Sequence, residues 1–414
     1  MTMSALFSLI LLAPALAAAQ PGDVGARLMS DKAVVHALER AKINEPEIIA
    51  EQIRICEIPA PPFGEEKRGL ELKAIFTRLG LKNVRIDAVG NVLGERPGKA
   101  SNPHLVMAAH LDTVFPIETD VKVTKDGPWL KGPGIGDDCR GLAVLIGVVR
   151  ALDEARVTTE GSITFVGNVG EEGLGDLRGT KALFNETLKG RIDRFISVDG
   201  SGLGMTRVGV GSFRYRLAYR GPGGHSYGAF GRVNPIHALG RAIAEIAEFQ
   251  VAQEPRTTFN VGRIGGGTSV NSIPFEAWAE VDMRSHDKAS LDALHSRFLA
   301  AADAAAVAEN KRWGKGTITV VKESVGVRPA GETLATDYIV QAAESVTRAL
   351  GAAVEWSTSS TDSNVPMSLG IPAITIDGGG DGKDAHALTE AFDTTDSWKG
   401  TQRAVLIALA LTRP

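Results

Sequence analysis

Glu171 and Glu172 sit side by side in the phrase Gly170-Glu171-Glu172-Gly173, at the close of a short apolar run. Two carboxylates that close repel one another, and a bound cation is the usual reason a chain keeps them together. The chain offers four more candidate ligands: His110 (with Asp112 beside it), Asp137, Asp199 and His386. Together they describe a two-metal hydrolase, in which paired cations ready a water for attack on a carbonyl.

Within that chemistry the residues divide the work. A two-metal site needs a carboxylate able to bridge cations about 3.5–4 Å apart. Asp137 is free for that role if Asp138 caps the helix that follows. Of Glu171 and Glu172, one binds a cation and the other stays off it, near a water, as general base. At a strand end Asp112 points to the same side as His110 and can accept its second ring N–H, fixing the tautomer. His225 lies in the tight turn Gly221-Pro222-Gly223-Gly224-His225-Ser226; it is either an exposed loop histidine or a donor to the oxyanion. Arg284 follows Glu276, Trp278, Glu280 and Asp282 on the polar side of a strand. It either pairs with Asp282 or offers a guanidinium fork to a substrate carboxylate. His36, His104, His237, His286 and His295 suit surface or packing roles.

Such residues act together only if the fold converges them. The pattern predicts a helix from Glu45, a Pro-rich loop, a helix over Glu65 to Leu79 and a short hairpin. Leu105 to Ala109 reads as a buried strand ending in His110, Ser162 to Val169 as one ending before Glu171, and Phe195 to Val198 as one ending at Asp199. Gly141 to Leu152 is a nearly all-apolar helix. Alternating strands and helices argue for a layered α/β core, and open α/β sheets bind ligands at the carboxyl edge of their strands. Beyond Gly209 the order is strand (Phe213 to Arg220), helix (Asn234 to Phe249), strands (Thr257 to Ile264, Phe275 to Arg284), helix (Lys288 to Asn310) and strand (Thr317 to Lys322). That is the ferredoxin-like split unit. The α/β texture then returns, with a helix over Glu332 to Leu350, a strand over Ala373 to Ile376 and a closing helix over Thr395 to Leu411. The expected domains are a catalytic unit over 20–207 and 324–414, with an inserted unit over 208–323.

The 414 residues exceed the roughly 250–300 at which single cores stop growing, which agrees with two domains. A net charge of −4 without any Lys/Arg block speaks against nucleic acid or an anionic membrane surface as a partner. Ala5 to Leu16 is a short apolar segment followed by small residues. It reads as a signal peptide over residues 1–19, cleaved after Ala17 or Ala19, and so as a periplasmic or secreted protein with no membrane anchor. The two cysteines, Cys56 and Cys139, read as unpaired small side chains.

The ordered stretches His110-Leu111-Asp112, Gly136-Asp137-Asp138, Glu171-Glu172, Asp199, His225, Gly266-Gly267-Thr268-Ser269-Val270-Asn271, Asp282-Met283-Arg284 and Ala385-His386 cover nearly all of the mature chain. This pattern resembles the zinc-dependent exopeptidases and deacylases of metallopeptidase clan MH. The resemblance implies a layered α/β/α catalytic domain with an inserted ferredoxin-like lid and dimerisation domain. It implies one zinc on His110, Asp137 and Asp199, and a second on Asp137, Glu172 and His386, with Glu171 as base. It also implies His225 as a lid histidine supplied across a homodimer interface, Asn271 and Arg284 as a substrate-binding pair, and a cis peptide at Asp137–Asp138. Cobalt or manganese suits the same donors. Asp199, where other branches have Glu, leans toward the amino-, di- and tripeptidases.

The expected protein is therefore an exported two-zinc metallopeptidase acting on small peptides. The first rival is a deacylase or carboxypeptidase acting on N-acyl amino acids. The second is a non-catalytic peptide-binding protein, which would be expected to have lost a ligand or the base.

Overall fold

A computed structural model describes residues 24–413, so the expected leader lies outside the described residues. The chain enters through α1 (Val24–Ser30), α2 (Lys32–Ile43) and α3 (Glu45–Cys56). Asp31 caps α2 by accepting from Ala33 N and Val34 N, and Pro46 occupies the first turn of α3, where no N–H is missed. Neither α1 nor α2 is among the sequence expectations, which begin at Glu45. The helix α4 (Glu66–Arg78) and the hairpin β1 (Lys82–Ile86) and β2 (Val92–Arg96) follow as expected.

The central sheet then takes β3 (Leu105–His110), β4 (Ile163–Asn168) and β5 (Arg194–Val198), with α5 (Cys139–Glu154) crossing between β3 and β4. β3 lies between β4 and β5, parallel to both. Both faces of β3 are covered: Leu105, Met107 and Ala109 join the core around α5, while Val106 and Ala108 pack with Leu183 and Phe184 beneath. Burial on two sides is why this strand is a continuous apolar run rather than an alternating one. β6 (Met205–Gly209) extends the sheet beyond β5.

The inserted unit comprises β7 (Gly211–Arg220), α6 (Pro235–Ala247), β8 (Thr257–Gly266), β9 (Glu276–Ser285), α7 (Lys288–Arg312) and β10 (Thr319–Arg328). Its sheet runs β8-β9-β7-β10, every pair antiparallel, which is the ferredoxin-like order. Leu217, Tyr219, Ala279 and Val281 meet α6 and α7 on one face. The other face pairs Arg214 with Asp282, Arg216 with Glu280 and Arg220 with Glu276, each across the β7–β9 register.

Two expectations need correction. β10 continues past the expected boundary at 323, because a bulge between Ser324 and Gly326 resets the register and Gly326, Val327 and Arg328 go on pairing with Arg214, Phe213 and Ser212. Residues 332–337 are not helical. Gly331–Glu332 form a short strand against β6, and α8 (Tyr338–Ala349) starts after Asp337, which accepts from Ile339 N. β11 (Trp356–Ser359) runs parallel to β6, β12 (Ala373–Ile376) runs parallel to β5, and α9 (Trp398–Leu411) closes the chain against α5.

Candidate metal centre

The carboxyl edge of the central sheet gathers the candidate ligands. β3 ends on His110, β5 ends one residue before Asp199, and the turn after β4 delivers Glu171 and Glu172. Asp137 lies at the entrance to α5, and its peptide to Asp138 is cis. His386 comes from the connection between the short paired strands Asp381–Lys383 and Ala391–Asp393. Its backbone is left-handed, φ +67, a conformation that costs a non-glycine residue about 1–2 kcal/mol and is held here by the ribbon around it.

Asp137 stands between two histidines. Its Oδ1 lies 3.0 Å from His110 Nε2 and its Oδ2 lies 3.0 Å from His386 Nε2. Glu172 Oε1 is 2.8 Å from His386 Nε2, and Asp199 Oδ1 is 4.0 Å from His110 Nε2. Ligand atoms about 2.0–2.2 Å from one cation in tetrahedral array stand about 3.3–3.6 Å apart. The observed spacings bracket that value, and the two sets His110–Asp137–Asp199 and Asp137–Glu172–His386 share one carboxylate. A nitrogen and oxygen donor set with a shared carboxylate fits a pair of divalent cations. Glu171 also brings a carboxylate oxygen within 4.8 Å of ligand atoms of His110 and Glu172.

A surrounding tier holds these groups. Asp138 caps α5 by accepting from Gly141 N at 3.0 Å, and its other oxygen accepts from His110 N at 2.9 Å. Gly141 has no alternative there, since a Cβ would fall 2.2 Å from Asp138 Oδ1 and 2.3 Å from Val198 O. Asp112 departs from expectation. His110 Nδ1 faces the Asp112 carbonyl oxygen at 2.9 Å, while the nearer carboxylate oxygen stands off at 3.8 Å. That carboxylate instead accepts from the amides of Glu171 and Glu172, at 3.0 and 2.8 Å. Asp112 thus fixes the turn bearing both glutamates, because two strong backbone donors outcompete one ring N–H.

Two residues absent from the sequence expectations complete the tier. Glu390 accepts from Gly134 N (2.8 Å), Gly136 N (2.8 Å) and Asp137 N (3.0 Å), gripping the loop that presents the bridging carboxylate. Arg328, at the end of β10, donates to Glu171 Oε1 at 2.9 Å. Glu390 lies four places after His386 and could have been noticed. Arg328 sits beyond the last alternating residues of its strand, so no local pattern marks it.

The field is strongly negative. Burial opposes a charged His110 ring, but the carboxylates of Asp138, Asp137 and Asp199 outweigh it and raise its pKa well above the usual value. Hydrogen bonds to Asp137 and Glu172 raise His386 to about 10. Burial, with Asp137 nearby, pushes Asp199 up to about 7. Burial also lifts Glu171 well above the carboxylate range, with Arg328 opposing and Glu172 adding to the rise. Asp199 and Glu171 resist ionising, while Asp137 is held ionised against burial by His110 and His386, and this crowding of carboxylates marks a place suited to added positive charge.

The cleft over this edge holds about 500 Å³, and Arg214, Arg284 and Arg328 line it together with Ser359, Ser360 and Thr361. Both readings of Arg284 meet in one place: it pairs with Asp282 at 2.7 Å and still borders the cleft. His225 and Asn271 do not line it. They share the small ribbon of Gly224–His225 with Ser272–Ile273 and are exposed. His225 Nδ1 accepts from the amides of Tyr227 and Gly228, which leaves Nε2 as its donor. Cys56 and Cys139 are buried and unpaired.

Residues 106–410 match the model of Peptidase family M20/M25/M40. The chain is 24% identical over 348 residues to the uncharacterised Bacillus subtilis protein YqjE, covering 81% of this chain and 90% of that one. It is 30% identical over 244 residues to the succinyl-diaminopimelate desuccinylase of Ectopseudomonas mendocina, 54% of this chain and 63% of that enzyme. Among solved structures, a Staphylococcus aureus tripeptidase superposes with a TM-score of 0.74 at 23% identity, over 90% of this chain and 99% of that one. That likeness shows the fold, a catalytic α/β domain carrying an inserted one. With a family match over most of its length and the ligand groups converged at one sheet edge, the chain belongs to peptidase family M20/M25/M40 and is a metal-binding hydrolytic enzyme.

Proposed function

We propose that this enzyme cleaves amide bonds of small peptides, as an exported amino-, di- or tripeptidase with two zinc ions. The carrying observation is Asp137, whose two oxygens face two histidines from opposite ends of the chain, with Glu171 alongside. His110, Asp137 and Asp199 would hold one cation and Asp137, Glu172 and His386 a second, and the pair would supply carbonyl polarisation and a water acidic at neutral pH. Glu171 takes the water's proton and returns it to the leaving nitrogen, so that the amine departs neutral. Arg284 meets a substrate carboxylate with its guanidinium fork. Closure of the inserted domain excludes bulk water. A homodimer through the inserted domain is supported by the position of His225 and Asn271, exposed and away from their own cleft, where a second copy's cleft can receive them.

The test is metal analysis of the purified protein together with a panel of di- and tripeptides set against N-acetyl amino acids. Turnover of peptides is expected. Preference for N-acetyl amino acids would favour the deacylase alternative, which the likeness to a desuccinylase keeps in view. Glu171→Gln is expected to lower kcat by about 10²–10⁴-fold with metal content unchanged. Loss of metal in that variant would show that base and ligand had been assigned the wrong way round.

A further inference from the structure

We propose that Arg328 is a positioning residue for the general base: from the end of the inserted domain it fixes Glu171 and ties base to lid. This rests on the hydrolase reading above, with Glu171 as base. Arg328 is buried, 5% exposed, and grips one residue twice. Nη1 donates to Glu171 Oε1 at 2.9 Å and Nη2 donates to the Glu171 carbonyl, so side chain and main chain are both held. Nη1 also reaches Ser360 Oγ at 3.2 Å. Nε is buried with no partner among the described residues.

The grip has a chemical consequence. Glu171 Oε1 is taken, so only the other oxygen is left to receive a proton. Glu172 has no arginine and faces His386. The guanidinium therefore separates the roles of two adjacent carboxylates, holding one back while the other is left to a cation.

The same stretch is strapped to β10 at further points. Asp176 Oδ1 accepts from Val327 N at 2.8 Å. Lys181 Nζ donates to Val327 O at 2.8 Å and to Asp176 Oδ2 at 2.6 Å. Arg214 Nη1, from the inserted sheet, donates to Gly173 O at 3.2 Å. A movement of the inserted domain is thus carried directly to the turn that bears the base.

The experiment compares Arg328→Ala, Arg328→Lys and Lys181→Met with wild type on the best peptide of the panel, following kcat, KM, metal content and thermal melting. For Arg328→Ala, kcat is expected to fall about 100-fold with KM within about twofold and metal retained, and added guanidinium ion to restore about tenfold. Arg328→Lys, with one ammonium in place of a two-point fork, is expected to fall between. Lys181→Met removes one of these ties without baring a buried charge and is expected to lower kcat by roughly twofold to several-fold at constant KM. A raised KM with intact kcat in Arg328→Ala would make the arginine a substrate anchor and overturn the proposal, as would absence of guanidinium rescue. Should Arg328→Ala not fold, an unchanged kcat in Arg328→Lys overturns it, since one ammonium cannot hold the Glu171 carboxylate and carbonyl together. A wild type inactive with zinc, cobalt and manganese would instead sink the hydrolase reading, before any variant is compared.

Discussion

Metal loading should expel protons. In the metal-free protein the carboxylates of Asp138, Asp137 and Asp199 raise the His110 pKa well above its usual value against the effect of burial, and His386, between Asp137 and Glu172, is raised to about 10. Asp199, raised to about 7, is about half protonated at neutral pH. Metal ligands must be deprotonated, so filling both sites at pH 7 releases protons, from His386 and in part from Asp199, with His110 adding to the release. His386 is half exposed, and solvent screening moderates its share, yet a pKa near 10 leaves a wide margin above neutrality. The sign follows from groups whose folded pKa is raised: the proton stays bound below that pKa and competes with the cation there. Affinity therefore climbs with pH, by about 100-fold per unit for two protons. Isothermal titration of the apoprotein with zinc in buffers of different ionisation enthalpy reads the number directly. A slope below about half a proton would mean that the histidines are neutral before metal arrives, and would refute the charge arrangement argued above.

Further outcomes follow from single side chains. Glu390→Gln replaces an acceptor by a donor facing the Gly134, Gly136 and Asp137 amides, so metal affinity should weaken by about 10–100-fold in a competition assay, with the fold retained. Gly141→Ala forces a Cβ against Asp138 and Val198 O, and thermal melting should report a loss of about 1–3 kcal/mol or more. Arg284→Met removes the proposed fork for a substrate carboxylate and should raise KM about 10- to 150-fold with kcat little changed, in steady-state kinetics on the preferred peptide.

Local pattern carried the strands and helices wherever burial imposed a period. β3, α5 and the polar face of β9 were legible because an element covered on two sides, on all sides or on one side leaves a different apolar rhythm. The same logic placed His110, Glu171, Glu172 and Asp199 at one edge, since strand ends of an open sheet converge. It failed where partners are remote. The bulge that prolongs β10 to Arg328 is set by pairing with β7, and the helix expected from Glu332 yields to a short strand because β6 offers an edge there.

What the chain alone determined is the inventory: which side chains can bind cations, which can move a proton, and which runs of residues become strand or helix. Those properties reside in residue type and short-range spacing. The tertiary structure decided the allocation. Asp112 serves two amides rather than a ring nitrogen, Glu390 holds the bridging loop, and Arg328 singles out Glu171. Each choice depends on distance in space between residues far apart in sequence, and hydrogen bonds and charges act only over a few ångströms.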